Sequence, residues 1–121
     1  MDMLDQRALD DLDDPALDGL TCGVVRVSQT GRIERYNRAE AQRAGTQRWR
    51  VLGRDFFREL VGGEGAQLAA EVQSVPPGDR ARFEHRLRAH RREQPVTIEV
   101  VRTEAGGAYL LIQECSSSER R

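Results

Sequence analysis

The sequence predicts an α+β fold: a five-stranded antiparallel sheet with helices on one face and an N-terminal cap. Three observations carry this. Strand patterns come as a pair, then a helical stretch, then three more strands, an order that does not alternate strand with helix as a doubly wound sheet requires. Residues 80–90, RARFEHRLRAH, alternate apolar and charged side chains with the strand period. Between Asn37 and Val75, short amphipathic segments are punctuated by Gly45, Gly53, Gly62, Gly63 and Gly65.

The elements follow in order. Leu4, Ala8, Leu12 and Leu17 recur at roughly helical spacing with Pro15 interrupting, which predicts short amphipathic turns lying on the domain. Residues 23–28 read as a strand, 29–31 as a hairpin turn with Gly31 free to take positive φ, and 32–36 as the second strand. Asn37 caps a short helix ending at Gly45, Thr46 caps another ending at Gly53, and Asp55 caps a turn carrying Phe56 and Phe57. Residues 66–75 form a helix with Leu68, Ala69 and Val72 on one face, stopped by Pro76-Pro77-Gly78. Strands then cover 80–90, 95–103 and 108–114, joined by a loop at 91–94 and a turn at Gly106-Gly107. Phe56, Phe57, Phe83 and Trp49 are expected in the core, because aromatics make up only 5% of the chain.

With 121 residues this is one domain, able to bury a single core. Residues 1–20 hold seven Asp and one Arg, a balance of −6, whereas the rest carries +5 within a net charge of −1. An acidic leader thus precedes a basic domain. All basic residues other than His are Arg, and nothing in the net charge favours nucleic acid, which ranks last among partners. No apolar run reaches membrane-span length, so the expected location is cytoplasmic, without membrane contact. Cys22 and Cys115 form no metal-type cluster, and neither a glycine-rich phosphate loop nor a metal or catalytic site is expected. Cys22 with His85 or His90 is a nucleophile–base pairing with no signature spacing.

The words LDGL at 17–20, GRIERYNRAE at 31–40 and VLGRDFF at 51–57 carry a family resemblance. They resemble the PAS sensor domains, and within them the photoactive yellow protein group of blue-light receptors. The resemblance implies a PAS domain over residues 17–115, an acidic cap over 1–16 and a polar, disordered tail over 116–121. In that group a chromophore-bearing cysteine preceded by proline follows the FF segment; here Gly62 and Gly63 occupy those positions, with Ala44 and Thr46 at other chromophore-side positions. No covalent chromophore and no cofactor are therefore expected. Tyr36 and Glu40 match the residues that hydrogen-bond the chromophore phenolate, so they are candidate ligand-binding residues. Glu40 also stands where a capping box would turn it back onto Asn37.

His85 falls on the apolar face of its strand and is a third candidate for lining a pocket. On the opposite face Arg80, Arg82, Arg86 and Arg88 form a positive stripe, the candidate partner-binding surface. The acidic leader is expected to lie across that stripe. Two functions compete: a non-enzymatic interaction or dimerisation adaptor in signalling, expected as a homodimer that also binds a regulatory protein, and a sensor binding a small non-covalent ligand near Tyr36 and Glu40. A small enzyme or biosynthetic accessory protein reusing the fold is a weaker third reading.

Overall fold

The computed structural model describes residues 5–90 and 92–114. Leu4, Cys115 and the polar tail lie outside the described residues. The elements are α1 (Gln6–Asp11), α2 (Asp14–Asp18), β1 (Gly23–Val27), β2 (Ile33–Tyr36), α3 (Arg38–Ala44), α4 (Arg48–Val51), a π-helical turn (Phe56–Leu60), α5 (Gly65–Ser74), β3 (Arg80–Ala89), β4 (Arg92–Arg102) and β5 (Ala108–Glu114). The strands form one antiparallel sheet in the order β2-β1-β5-β4-β3. The expected α+β architecture is what the chain adopts.

Local chemistry sets the helix starts. The carboxylates of Asp5, Asp13 and Asp55 and the amide oxygen of Asn37 accept from backbone N–H groups of the turns they open. Pro15 does not interrupt a helix; it sits in the first turn of α2, where its missing N–H costs nothing. Gly45 ends α3 at φ 78°, a left-handed conformation that suits glycine. Thr46 does not cap α4; Gln47 holds that position with no side-chain bond.

Period-two alternation sorts the sheet residues onto two faces. The inner face packs Val25, Val27, Ile33, Tyr36, Leu87, Ile98, Val100 and Leu110 against Phe56, Val61, Leu68 and Val72. Burying a side chain such as Phe56 contributes about 1.5–3 kcal/mol. Phe57 and Phe83 are partly buried against the same core. Trp49, expected there, is instead 71% exposed. The strand β4 runs through 92–94, which were expected to be loop. Pro95 is tolerated because pairing with β5 begins only at Val96, so beside Pro95 β4 pairs with β3 alone.

The leader builds a second core on the outer face, where Leu9 and Leu17 are buried against Val24, Val101 and Tyr109. It does not lie across the whole arginine stripe. Arg35 donates to the carbonyls of Leu9 and Leu12 at 3.1 and 2.6 Å, and Arg26 pairs with Asp10 at 3.4 Å. Tyr109 donates to Asp10 at 2.6 Å. Among the described residues no hydrogen bond or ion pair joins the leader to Arg82, Arg86 or Arg88. The leader is held by arginines of β1 and β2 because its apolar residues pack on β1, β5 and the end of β4, not on β3.

Candidate functional site

Tyr36 ends β2 and Asn37 opens α3, so the two residues fix where the helix leaves the sheet. Asn37 is fully buried and every polar atom of its amide is used. Its Oδ1 accepts from the amides of Val24 and Glu40 at 2.8 and 3.1 Å; its Nδ2 donates to the carbonyls of Leu17 and Cys22 at 2.9 and 3.1 Å. One amide thereby ties the leader, β1 and α3 together.

Glu40 is one turn further along α3 and is completely buried. Half of the expected capping box forms: Asn37 caps the Glu40 amide, but the Asn37 amide donates to Val24 and leaves the Glu40 carboxylate free. That carboxylate lies over β1, where a Cβ on Gly23 would come within 2.3 Å of its Oε1. Glycine at position 23 is what lets α3 approach this closely.

The partner of Glu40 is Arg43, three residues on and on the same helix face. Its Nε and Nη2 donate to the two carboxylate oxygens at 2.9 and 2.6 Å, and its Nη1 donates to Gln94 Oε1 of β4 at 3.1 Å. The side chains of Arg43 and Glu40 are 7% and 1% exposed. Burial pushes the Glu40 carboxyl above its ordinary value, and the Arg43 guanidinium pulls against that rise. Sequence reasoning missed Arg43; the Glu-x-x-Arg spacing on one helix face was the available signal.

Tyr36, Glu40, Arg43, Phe56, Leu60 and Leu87 line a cavity of about 130 Å³. Ala44 and Thr46 also border it. Tyr36 is 2% exposed, and its carbonyl accepts from Arg48 at 2.8 Å. Among the described residues no protein group hydrogen-bonds its hydroxyl. Burial, then the neighbouring Glu40 charge, holds that hydroxyl well above the ordinary tyrosine range. It is therefore a neutral O–H at the edge of a space about the size of one benzene ring.

His85 does not join this site. It is buried on the inner face of β3, where Nδ1 meets Glu64 Oε1 at 2.7 Å and Nε2 meets Glu71 Oε1 at 2.5 Å. Both ring nitrogens face carboxylates, so an imidazolium donates to each and fastens α5 to the sheet. Burial disfavours the charged ring, but the hydrogen bonds to Glu71 and Glu64 outweigh it and raise the histidine above its ordinary value. The backbone N–H of Arg86 and the His85 ring lower Glu64. With both nitrogens engaged, His85 is not placed as a base for Cys22, and burial pushes that thiol up, away from the reactive thiolate. Among the described residues no group of three or more His, Cys, Asp or Glu could hold a metal ion, and no helix is long and apolar enough to cross a membrane.

On the outer face Arg80 pairs with Glu99 at 2.9 Å, while Arg82 approaches the same carboxylate at 3.8 Å. Arg86 and Arg88 donate to backbone carbonyls of Glu93 and Glu59 at 3.4 and 3.5 Å. The stripe is partly self-paired and partly solvated.

Comparison with known proteins bears on this geometry. A family model described as the PAS fold matches residues 17–120. Photoactive yellow protein of Rhodothalassium salexigens is 32% identical over 56 residues, 46% of this chain and 45% of that protein. The match therefore spans less than half of that relative. The photoactive yellow protein domain of the sensor histidine kinase Ppr from Rhodospirillum centenum superposes with a TM-score of 0.67 at 22% identity, covering 89% of this chain and 98% of that one. The PAS domain of the quorum-sensing receptor RpfR from Cronobacter turicensis, in complex with BDSF, gives a TM-score of 0.66 at 13% identity, covering 80% and 96%.

Proposed function

This chain belongs to the PAS fold family, and from that premise we propose that it is a sensory module for a small molecule held without a covalent bond between α3, the π-helical turn and β3. The observation that carries the reading is the Tyr36 hydroxyl: its residue is 2% exposed and lines a cavity of about 130 Å³, and the hydroxyl has no protein partner among the described residues. A hydroxyl facing such a space takes a water as its partner, or an accepting ligand atom that displaces it. The size of the space fits a single ring or a short chain. Glu40 and Arg43 would present a neutralised pair to the ligand, so a polar but uncharged head matches better than a strong acid. The RpfR PAS domain, solved in complex with BDSF, supports the idea that this fold can hold a small molecule. Gly63 offers no thiol for a covalent link.

An interaction adaptor, the other reading, would fill its interior with side chains; the space beside Tyr36 favours the sensor. The adaptor keeps support from the outer face, where the guanidinium groups of Arg86 and Arg88 donate to the backbone carbonyls of Glu93 and Glu59.

The test is a thermal-shift panel of single-ring phenols, aromatic amides and short-chain acids on the wild type and on Tyr36→Phe. At least one compound should raise the wild-type melting temperature and lose most of that effect in the variant. If no compound separates the two proteins and native mass spectrometry shows only bare chain, the sensor reading fails.

A further inference from the structure

The groove beside α4 adjoins the site above, sharing Thr46, Val51, Glu59 and Leu60 with it, but its exposed side chains, Trp49, Arg50, Leu52 and Arg54, have no part in that site. Among the described residues Trp49 and Leu52 are the exposed large hydrophobic side chains, at 71% and 43%. Both line one open groove with Thr46, Val51 and Leu60. An indole held in water is unfavourable, and two such residues side by side mark a surface built for contact.

Two arginines, Arg50 and Arg54, and one carboxylate, Glu59, line the groove, which leaves Arg50 as its unmatched charge. The Arg50 guanidinium lies 5.3 Å from the Trp49 ring centroid, stacked over the indole. Arg54 lines the groove and donates to Glu59 at 2.9 Å, both side chains largely exposed. Arg32 donates to the carbonyl of Gly53, next to Leu52, at 3.0 Å, and Arg88 donates to the carbonyl of Glu59. Glu59 is the one carboxylate lining the groove among the described residues.

We infer that this groove docks an acidic segment of a partner protein that carries apolar anchor residues. An anchor laid across Trp49 and Leu52 removes both from water, and Arg50, already stacked in place, meets a partner carboxylate at little ordering cost. Tryptophan and arginine are the residue types that dominate binding energy when packed this way. Single-stranded nucleic acid fits less well, because stacking successive bases needs further exposed aromatics, and none accompanies Trp49 among the described residues. A lipid surface fits less well too, since one tryptophan and one leucine make a small apolar face. The inference is independent of whether the inner cavity holds a ligand.

Trp49 is the chain's single tryptophan, so its emission reports this groove alone. The experiment is a peptide-display selection on the full chain, counter-selected with Trp49→Ala, followed by fluorescence titration of the selected peptides. Peptides rich in Asp and Glu around aromatic or aliphatic residues should emerge and shift Trp49 emission to the blue. Arg50→Glu, which keeps the reporter, should weaken them about tenfold or more, an effect that shrinks at high salt. Circular dichroism should show both variants folded, as their sites are exposed. The inference is overturned if the selected peptides carry no net negative charge, if none is lost in Trp49→Ala, or if selection yields no binder. It is equally overturned if oligothymidine or phosphatidylserine vesicles shift the emission and peptides do not, or if emission shifts with protein concentration alone, which would make the groove a self-contact.

Discussion

Two buried charge clusters sit on the inner side of this sheet, and they are built to different ends. Around His85, both ring nitrogens and the facing carboxylates are used, and the result joins α5 to β3. Around Glu40, the ion pair with Arg43 is equally tight, yet the adjacent Tyr36 hydroxyl is left without a protein partner beside an open space. The difference teaches that burial and perturbed titration do not by themselves mark a binding site. The proposed site rests instead on a polar atom, the Tyr36 hydroxyl, whose hydrogen-bonding capacity no described residue takes up.

Removing one member of the Glu40–Arg43 pair should give the largest effect. Glu40→Ala or Arg43→Ala strands a buried charge and should cost about 3–5 kcal/mol in urea unfolding. The double variant Glu40→Met with Arg43→Leu should recover much of that loss. If the single variants cost no more than the double, the pair is not the buried unit described here.

The His85 clamp should matter less, because Glu64 and Glu71 are partly exposed. His85→Gln should cost about 1–3 kcal/mol. The pH dependence has a definite sign. His85 is raised, so its contribution is complete below its ordinary value of 6.5 and is lost as pH rises through the higher folded value. Glu64 is lowered, so its contribution is present above 4.5 and is lost as pH falls through the folded value. The clamp should therefore be strongest between these limits, and the alkaline loss should vanish in His85→Gln. A wild-type stability that stays level as pH rises through and above 6.5 would contradict an imidazolium bridge.

Tyr36→Phe sharpens the contrast from the other side. It removes a hydroxyl that no protein group holds, so unliganded stability should change by about 0.5 kcal/mol or less while small-molecule binding drops. A large loss of stability would place Tyr36 with His85 as a fastener. Smallest of all, Arg82→Ala on the outer face should lie within about 0.5 kcal/mol, since its pairing is long and exposed.

Much of the fold was legible because local chemistry and long-range packing agree. The Asn37 cap, the left-handed Gly45, the alternation of β3 and the Asp55-Phe56-Phe57 turn all follow from residue types at fixed spacings. The misses occur where a neighbour decides. Trp49 reads as core by composition, but α4 is a single turn whose buried side is taken by Val51. The extension of β4 through Pro95 depends on where β5 stops. Of the candidate site, Tyr36 and Glu40 were legible by resemblance, and the cavity does bring them together. His85 was placed correctly on the inner face, but its carboxylate partners come from a helix whose docking no local pattern reveals. Arg43 was overlooked because an arginine among nineteen carries no signal until its helix face is known.

The last strand in the sheet order has a bearing on solubility. β3 is an edge, and a long edge strand invites a second molecule to add to the sheet. The chain closes part of this edge with itself: the amides of Arg86, Arg88 and His90 donate to Glu64 Oε1, the Val61 carbonyl and the Ala44 carbonyl, each at 3.0 Å. Glu64 thus occupies a β-pairing position while also holding His85. Losing it would bare a stretch of backbone whose natural mate is another copy of the same strand, so Glu64→Ala should precipitate at a lower concentration than the wild type.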